Sequence, residues 1–228
     1  MAPRFVYFDL DDTLLDHRAA ERAALADCCS AFPALAGRDV AEVQATYHAG
    51  NVPLWKQYGA GEIGREDVQR LRFERLCAAL DLDLDPAVLG AAYLDRYAAH
   101  WRWIPGAEAA FHAIADRYPV GLLTNGFAEQ QHGKLDRFPV LRERAQAVVI
   151  SEEVGVMKPH PAIFAHATDL AGVAQSEVLY VGDSLHSDVE GGRAAGWQVA
   201  WFRGAEGHDG VFAFAEWTAL TRALGAAS

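Results

Sequence analysis

The chain contains little cysteine, and what it has is badly placed for a structural site. Among its 228 residues only Cys28, Cys29 and Cys77 are cysteines. Their number is odd and no CxxC spacing occurs, so neither a disulfide framework nor a zinc knuckle is supported. We therefore expect three buried, reduced thiols that serve as small hydrophobic side chains in a reducing compartment.

Positive charge is also scarce. The chain has 20 lysines and arginines against 31 acidic residues, which gives a net charge of −11. This balance argues against a nucleic-acid polymer or an anionic membrane as partner, because both bind basic surfaces. It leaves room for a small anionic ligand, since one lysine and a metal ion can create a local positive site.

Long apolar runs are absent as well. No stretch approaches the ~20 residues that a membrane-spanning helix needs. Because the first strand pattern begins at residue 5, we expect no signal peptide. From the sequence we expect a soluble, cytoplasmic protein.

Short apolar runs are what the chain does have. They occur at residues 5–8, 120–123, 148–150, 178–181 and 199–202, and helical patterns at 105–116, 161–171 and 187–195 separate most of them. Such alternation is typical of a parallel sheet covered by helices. A closing helix is predicted over 214–224.

Residues 16–103 interrupt this alternation. No strand pattern occurs there, and Phe73, Leu76, Cys77 and Leu80 recur at helical spacing. Roughly four helices are expected, with their aromatic residues forming the core of the insert. Helices are predicted over 21–32 and 40–47, and Pro53 with the glycines that follow it is expected to break the second. The predicted domains are a core of residues 1–15 and 104–228 and a helical domain of residues 16–103.

Polar clusters follow four of the predicted strands. They are DLDDT at 9–13, TNG at 124–126, Lys158-Pro159, and GDSLHSD at 182–188. Singly, each has an ordinary explanation as a helix cap, a turn or a surface lysine. Ligands of open α/β sheets bind beyond the carboxyl ends of the strands, where all four clusters would meet. Their joint occurrence therefore predicts one site.

The first cluster places three carboxylates directly after a buried strand. Like charges this close repel, and a carboxylate near a core is unfavourable unless it is paired. Hard oxygen ligands are those that Mg²⁺ prefers. Either this loop turns into solvent, or a cation binds at this position.

These motifs resemble those of the haloacid dehalogenase (HAD) superfamily of phosphatases: DxDx[TV], a Ser or Thr after the second strand, a lysine and a GD acidic motif. The insert resembles the C1 cap of that superfamily. Residues 51–63, 124–131 and 150–159 are similar to the YjjG-like branch of pyrimidine 5′-nucleotidases. The resemblance implies an α/β fold with a HAD-like Rossmannoid core and an inserted four-helix-bundle cap.

The resemblance also implies catalytic roles. Asp9 would be the nucleophile that forms an aspartyl-phosphate, and Asp11 the general acid and base. Thr124 and Lys158 would bind the transferred phosphoryl group, together with Asn125 and Gly126 of the same loop.

A metal site follows from the same resemblance. Asp9 and Asp183 would bind Mg²⁺, with Mn²⁺ as the alternative, and Asp11 would contribute its main-chain oxygen. Asp188 would orient a metal-bound water. A solvated helix carboxylate is an equally open interpretation of Asp188.

Three aromatic residues could select the substrate. Trp55 and Tyr58, expected in a glycine-broken loop, and Phe127 could stack on a nucleobase. Packing between the helices is an equally open role for the first two. The expected substrate is a small phosphorylated metabolite, above all a nucleoside monophosphate.

Other functions remain open. The sequence also allows a phosphoglycolate or sugar-phosphate phosphatase, a phosphosugar mutase, a 2-haloacid dehalogenase and a non-catalytic phosphate-binding module. Asp11 and Asp183 count against the dehalogenase, which needs no metal and lacks the second aspartate of the first motif.

Overall fold

The structure, a computed structural model, describes residues 3–204 and 210–226. The chain divides into two compact units, one formed by Met1–Asp16 with Trp103–Ser228 and the other by His17–Arg102. Leu15 forms an antiparallel bridge with Trp103, so the chain leaves and re-enters the first unit at adjacent points. The role of the second unit as a cap stays a prediction.

Six parallel strands form the sheet of the first unit. They are β1 (Phe5–Phe8), β2 (Val120–Thr124), β3 (Ala145–Ile150), β4 (Val178–Gly182), β5 (Gln198–Phe202) and β6 (Val211–Phe214). Their order in the sheet is β3-β2-β1-β4-β5-β6. The order reverses at β1, which pairs with β2 on one side and β4 on the other. The predicted parallel α/β fold is confirmed.

Helices connect and cover these strands. In the first unit they are α5 (Ala107–Ala115), α6 (Ala128–Arg137), α7 (Pro139–Arg144), α8 (Ser151–Val154), α9 (Pro161–Ala171), α10 (Gly191–Ala194) and α11 (Trp217–Ala223). Short 3₁₀ and π-helical segments lie at Gln175–Glu177 and Leu185–Glu190. The prediction of a regular helix over 187–195 was therefore only partly right.

Alternate residues of each strand face opposite sides of the sheet, and each side has its own core. Val6 and Phe8 pack on one face with residues of α5 and α11. Phe5 and Tyr7 pack on the other face with residues of α9. Burial on both faces explains why the strands read as continuous apolar runs.

The second unit consists of helices. They are α1 (His17–Ala31), α2 (Val40–Gly59), α3 (Arg65–Ala79) and α4 (Pro86–Ala99), with a 3₁₀ segment at Pro33–Leu35. Tyr47, Phe73, Tyr93 and Tyr97 are buried in its core. The expectation that the aromatics of the insert form its core is confirmed for these residues, and all three cysteines are buried free thiols.

The helix α2 corrects one prediction. It continues through Pro53 to Gly59, so Trp55 and Tyr58 lie on a helix and not in a loop. A proline inside a helix costs about 3 kcal/mol because its N–H is missing and its ring crowds the preceding turn. Val43, Tyr47 and Leu54 are buried along α2, and this packing offsets that penalty.

The C-terminal segment differs from the prediction in a second way. Residues 211–214 form the edge strand β6, paired with β5, and the helix begins only at Trp217. The predicted helix start at residue 214 was wrong because the VFAF segment is drawn into the sheet. No helix within the described residues is long and apolar enough to cross a membrane.

Candidate active site

The site lies beyond the carboxyl ends of β1 and β4, where the strand order reverses. Phe8 is in register with Val181, and the N–H of Asp9 donates to the carbonyl oxygen of Val181 at 2.9 Å. This backbone pairing sets Asp9, which follows β1, beside Asp183, which follows β4. Open parallel sheets bind their ligands at such a point.

A tight turn follows β1, and Asp12, the third aspartate of the DLDDT motif, lies in this turn. Asp12 has a φ of 60°, in the left-handed region, and its N–H donates to the carbonyl oxygen of Leu15 at 2.7 Å. Aspartate tolerates this conformation better than most residues. Asp12 therefore shapes the loop that presents Asp11.

Three carboxylates converge at this edge of the sheet. Oxygen atoms of Asp9, Asp183 and Asp188 lie within 4.8 Å of one another. Asp9 is 5% exposed and Asp188 is fully buried. The hydroxyl of Thr13 lies 3.4 Å from both Asp9 Oδ2 and Asp183 Oδ1, and it can donate to one of them at a time.

Lys158 supplies a buried positive charge next to this cluster. Its Nζ lies 2.8 Å from Asp9 Oδ1 and 2.8 Å from Asp188 Oδ1. It also contacts the hydroxyl of Tyr180 at 2.6 Å and the carbonyl oxygen of Leu123 at 3.2 Å. These oxygens outnumber its three N–H groups, so the ammonium position is fixed from several sides.

Burial and the neighbouring charges shift the pKa values of this cluster in a consistent way. Burial raises the pKa of the Asp9 carboxyl well above its ordinary value; Lys158 opposes this shift, while Asp188 and Asp183 increase it. Burial lowers the pKa of the Lys158 ammonium, but Asp188 and Asp9 outweigh this effect and its pKa is raised. The ammonium of Lys158 lies beside two carboxylates, which both raise its pKa. The carboxylate of Asp9 lies beside one ammonium, which lowers its pKa, and two carboxylates, which raise it.

The residues present fit a divalent cation. One ammonium cannot by itself neutralise three carboxylates. Burial is the largest cause of the raised pKa of Asp9, and the neighbouring carboxylates of Asp188 and Asp183 raise this pKa further. Carboxylate oxygens are the ligands that Mg²⁺ prefers. The cluster therefore has the donor chemistry and the close grouping of carboxylates that a magnesium site requires.

Asp188 is held by its surroundings on both oxygens. Oδ2 accepts from the N–H of Ser184 at 3.0 Å, and Oδ1 accepts from Lys158 and from Tyr180 at 3.2 Å. A Cβ on Gly182 would lie 2.5 Å from Asp188 Oδ2, so this close approach requires glycine. The interpretation of Asp188 as a solvated helix carboxylate was wrong, because the π-helical segment turns the side chain into the protein.

The TNG loop after β2 braces the site. Asn125 accepts from the N–H of Lys158 at 2.8 Å through Oδ1 and donates to the Lys158 carbonyl oxygen at 3.0 Å through Nδ2. The N–H of Gly126 donates to Ser151 Oγ at 3.1 Å. Thr124 is fully buried, and among the described residues its hydroxyl donates only over a long distance of 3.4 Å, to the Asn125 carbonyl oxygen. The predicted phosphate contacts of this loop stay predictions.

The three candidate substrate-binding aromatics have different environments. Phe127 is fully buried. Trp55 and Tyr58 are half-buried on α2, and their rings lie 5.7 Å apart and nearly perpendicular. This mutual contact accounts for part of their burial, and their role toward a substrate stays a prediction.

Sequence reasoning missed three polar residues of the site. Tyr180 contacts Lys158 and Asp188, and two residues of α6, Gln131 and Lys134, hydrogen-bond to the carboxylate of Asp11. Gln131, Lys134 and Leu135 are all buried on α6. The sequence signal for these residues was their spacing: Gln131 and Lys134 are three residues apart and share a helix face with Leu135.

The family model of the haloacid dehalogenase-like hydrolases matches residues 3–196. The chain belongs to this family. It is a hydrolase of the phosphatase type, with a parallel sheet and helices in the expected arrangement.

Several relatives are named as nucleotidases or phosphatases. The chain is 36% identical to pyrimidine 5′-nucleotidase YjjG of Escherichia coli over 86% of this chain and 84% of that protein. It is 31% identical to pyrimidine 5′-nucleotidase PynA of Streptococcus pneumoniae, over 87% and 83% of the two chains. Identity is also 31% with a glyceraldehyde 3-phosphate phosphatase of Pyrococcus abyssi, over 88% and 81%.

A solved structure of the family is similar over nearly the whole chain. The HAD-hydrolase YfnB of Bacillus subtilis, in a magnesium-bound crystal form, superimposes with a TM-score of 0.80 at 26% identity. The match covers 98% of this chain and 99% of that one.

Proposed function

We propose that this haloacid dehalogenase-like hydrolase is a Mg²⁺-dependent 5′-nucleotidase acting on pyrimidine nucleoside monophosphates through an aspartyl-phosphate. The observation that carries the chemistry is the cluster of Asp9, Asp183 and Asp188, in which Asp9 and Asp188 both pair with the ammonium of Lys158. Asp11 follows Asp9 by two residues. The names of the relatives support the substrate class.

Asp9 is the nucleophile. One of its oxygens attacks phosphorus, the P–O bond to the leaving group breaks, and the phosphoryl group remains on Asp9. The hydrogen bond from Lys158 to Oδ1 keeps the carboxylate in one orientation. A covalent intermediate divides a difficult hydrolysis into two easier steps.

Asp11 moves the proton. As a carboxylic acid it gives its proton to the leaving oxygen in the first step. As the resulting carboxylate it takes a proton from the water that attacks phosphorus, which breaks the bond to Asp9. Each role requires Asp11 to lie close to the nucleophile, and its position two residues after Asp9 and directly before the turn at Asp12 supports this assignment.

Lys158 and Thr124 stabilise the transferred phosphoryl group. Phosphoryl transfer depends mainly on positioned charge and hydrogen-bond donors. Lys158 contributes a fixed ammonium, and the hydroxyl of Thr124 can turn toward a phosphoryl oxygen because its present donor contact is long. The N–H groups of Asn125 and Gly126 complete the predicted phosphate site, and the N–H of Gly126 would exchange its present bond to Ser151 Oγ for a phosphoryl oxygen.

Asp9 and Asp183 would hold Mg²⁺ through their carboxylates and Asp11 through its main-chain oxygen. The bound ion would supply positive charge against the phosphoryl oxygens and the buried carboxylates. Both oxygens of Asp188 already accept hydrogen bonds, so Asp188 fits the orientation of a metal-bound water better than direct ligation. Mn²⁺ has the same ligand preference and is the alternative ion.

Trp55, Tyr58 and Phe127 are the proposed contacts of the nucleobase, since every base has a face on which aromatic rings stack. A sugar-phosphate phosphatase is the second candidate function, favoured by the similarity to glyceraldehyde 3-phosphate phosphatase. The two differ in substrate and share all of the chemistry above.

A substrate panel tests the proposal. Purified protein is assayed with Mg²⁺ or with EDTA on pyrimidine and purine nucleoside monophosphates, triose phosphates, 2-phosphoglycolate, p-nitrophenyl phosphate and 2-chloropropionate. We expect Mg²⁺-dependent phosphate release, with the highest kcat/KM on a pyrimidine nucleotide and none from Asp9→Asn. A triose phosphate as best substrate would establish the second candidate, and chloride release in EDTA would refute the phosphatase chemistry.

A further inference from the structure

Two buried polar side chains of α6 converge on the carboxylate of Asp11. Lys134 is 2% exposed and Gln131 is 1% exposed, whereas the side chain of Asp11 remains 25% exposed. Lys134 Nζ lies 2.7 Å from Asp11 Oδ1 and 2.7 Å from Oδ2. Gln131 Nε2 lies 3.0 Å from Oδ2. These contacts fix both the position of the carboxylate and the direction of its plane.

Gln131 also ties Asp11 to the loop that follows β2. Its Nε2 lies 3.1 Å from Thr124 Oγ1 and 3.0 Å from the carbonyl oxygen of Asn125. An amide nitrogen has two N–H groups for these three acceptors, so it is fully engaged. Asp11 is thereby held at a set distance from Thr124, one of the proposed phosphate contacts.

The surroundings are arranged to admit Gln131. A Cβ on Gly126 would lie 2.4 Å from Gln131 Nε2 and 3.0 Å from its Cγ and Cδ. Glycine at this position therefore gives the amide the room to reach Asp11.

Packing alone does not explain these residues. The Oε1 atom of Gln131 is buried and has no hydrogen-bond partner among the described residues. A buried lysine and a half-satisfied glutamine are poor choices for stability, because apolar residues of the same volume pack without desolvating charge or amide. Their placement against the proposed proton carrier indicates a task in the reaction.

We propose that Lys134, assisted by Gln131, is the positioning residue for the carboxyl group of Asp11; this inference rests on the proposed function. In this role both residues act through Asp11 and not on the substrate itself. Each carboxyl oxygen has two lone pairs. Lys134 can therefore keep its bond to one oxygen while the other carries the proton. The contact can persist through both steps in which Asp11 acts.

This role predicts a dependence on the leaving group. A nucleoside leaves as an alkoxide unless it is protonated, whereas p-nitrophenolate is a stable anion and needs little help. Because kcat/KM reports only events up to the first irreversible step, it isolates the proton donation. A misplaced Asp11 should therefore reduce kcat/KM for a nucleotide far more than for p-nitrophenyl phosphate.

The test compares Lys134→Met with Lys134→Arg and with Arg137→Met, an exposed position on the same helix. We expect Lys134→Met to lower kcat/KM on the best nucleotide by about 100-fold or more, the scale of general acid–base catalysis. On p-nitrophenyl phosphate the loss should stay below about tenfold. Lys134→Arg should recover part of the loss, and Arg137→Met should behave as wild type.

A second readout follows the hydrolysis step. With p-nitrophenyl phosphate, Lys134→Met should release a burst of p-nitrophenolate before the steady state, because the phosphorylated Asp9 then waits for a poorly placed base. Gln131→Leu keeps the ion pair and should show the same trends at smaller amplitude. If Lys134→Met unfolds, as judged by thermal melting, Gln131→Leu and Lys134→Arg decide the question.

The possible failures are distinguishable. Equal losses on the two substrates without a burst, or no loss at all, would overturn the positioning role while leaving the phosphatase intact. A wild-type protein inactive on the whole panel would overturn the proposed function and the positioning role with it.

Discussion

Replacing Asp9 by asparagine should stabilise the metal-free protein while abolishing its activity. The nearest oxygens of Asp9, Asp183 and Asp188 lie within 4.8 Å of one another. At an effective dielectric constant near 20, each such pair of like charges repels by about 3 kcal/mol. The attraction of Asp9 to Lys158 at 2.8 Å offsets most of this repulsion.

Desolvation then decides the sign of the effect. A buried carboxylate loses several kcal/mol of hydration relative to the unfolded chain, and a neutral amide loses less. We therefore expect Asp9→Asn to raise the free energy of unfolding in EDTA by about 2 kcal/mol. For a chain of this length the corresponding rise in Tm is about 4–8 °C.

Mg²⁺ should reverse this ranking. An ion that binds the folded wild type at 100 times its Kd adds about 2.7 kcal/mol to the stability. Asp9→Asn lacks one of the charged ligands and should gain much less. Thermal melting of both proteins across a Mg²⁺ titration measures the crossover, with Asp12→Asn as a control outside the cluster.

Two outcomes would contradict the reasoning. A lower Tm for Asp9→Asn in EDTA would show that the Lys158 pair outweighs the crowding of the carboxylates. An equal Mg²⁺-induced shift in both proteins would place the ion elsewhere.

Three further predictions concern single residues. Gly182→Ala should destabilise the protein by about 1–3 kcal/mol, because its Cβ would lie 2.5 Å from Asp188 Oδ2. Calorimetry should show that this variant binds Mg²⁺ more weakly, and an unchanged Mg²⁺ affinity would contradict a role for Asp188 at the metal. Burial raises the pKa of the Cys28 thiol to about 11, so less of the reactive thiolate is present at pH 8 than in an ordinary cysteine. Alkylation of Cys28, followed by mass spectrometry, should be slow at pH 8 and should accelerate up to about pH 11, and rapid labelling at pH 8 would be inconsistent with this burial. Trp55→Ala should reduce kcat/KM on nucleotides more than on p-nitrophenyl phosphate, whereas equal losses would indicate that Trp55 only packs against Tyr58.

The strands and the motifs could be predicted because parallel strands buried on both faces leave a plain signal. The strand β1 was predicted with its exact bounds, Phe5–Phe8. The predicted bounds of β2, β3 and β4 differ from the structure only at one end of each strand. The polar residues that follow such runs stand out against them. Asp9 and Asp183 could therefore be expected together even though most of the chain lies between them.

The remaining features depend on packing that local sequence does not encode. Pro53 is an ordinary helix breaker, and only the buried face of α2 shows why the helix continues. The edge strand β6 is short, and its pairing with β5 decides its conformation. Gln131 and Lys134 occur in a polar stretch of α6. A polar stretch of this kind has the same sequence pattern in a solvent-exposed helix as in a helix with a buried functional face.

The bridge between Leu15 and Trp103 closes the α/β framework at the point where the helical segment departs. Every residue proposed for bond breaking is encoded outside that segment. A different insert could be placed between these two positions without disturbing any strand pair of the sheet. Evolution, or an engineer, can thus exchange the whole helical segment while the residues proposed for catalysis are inherited unchanged.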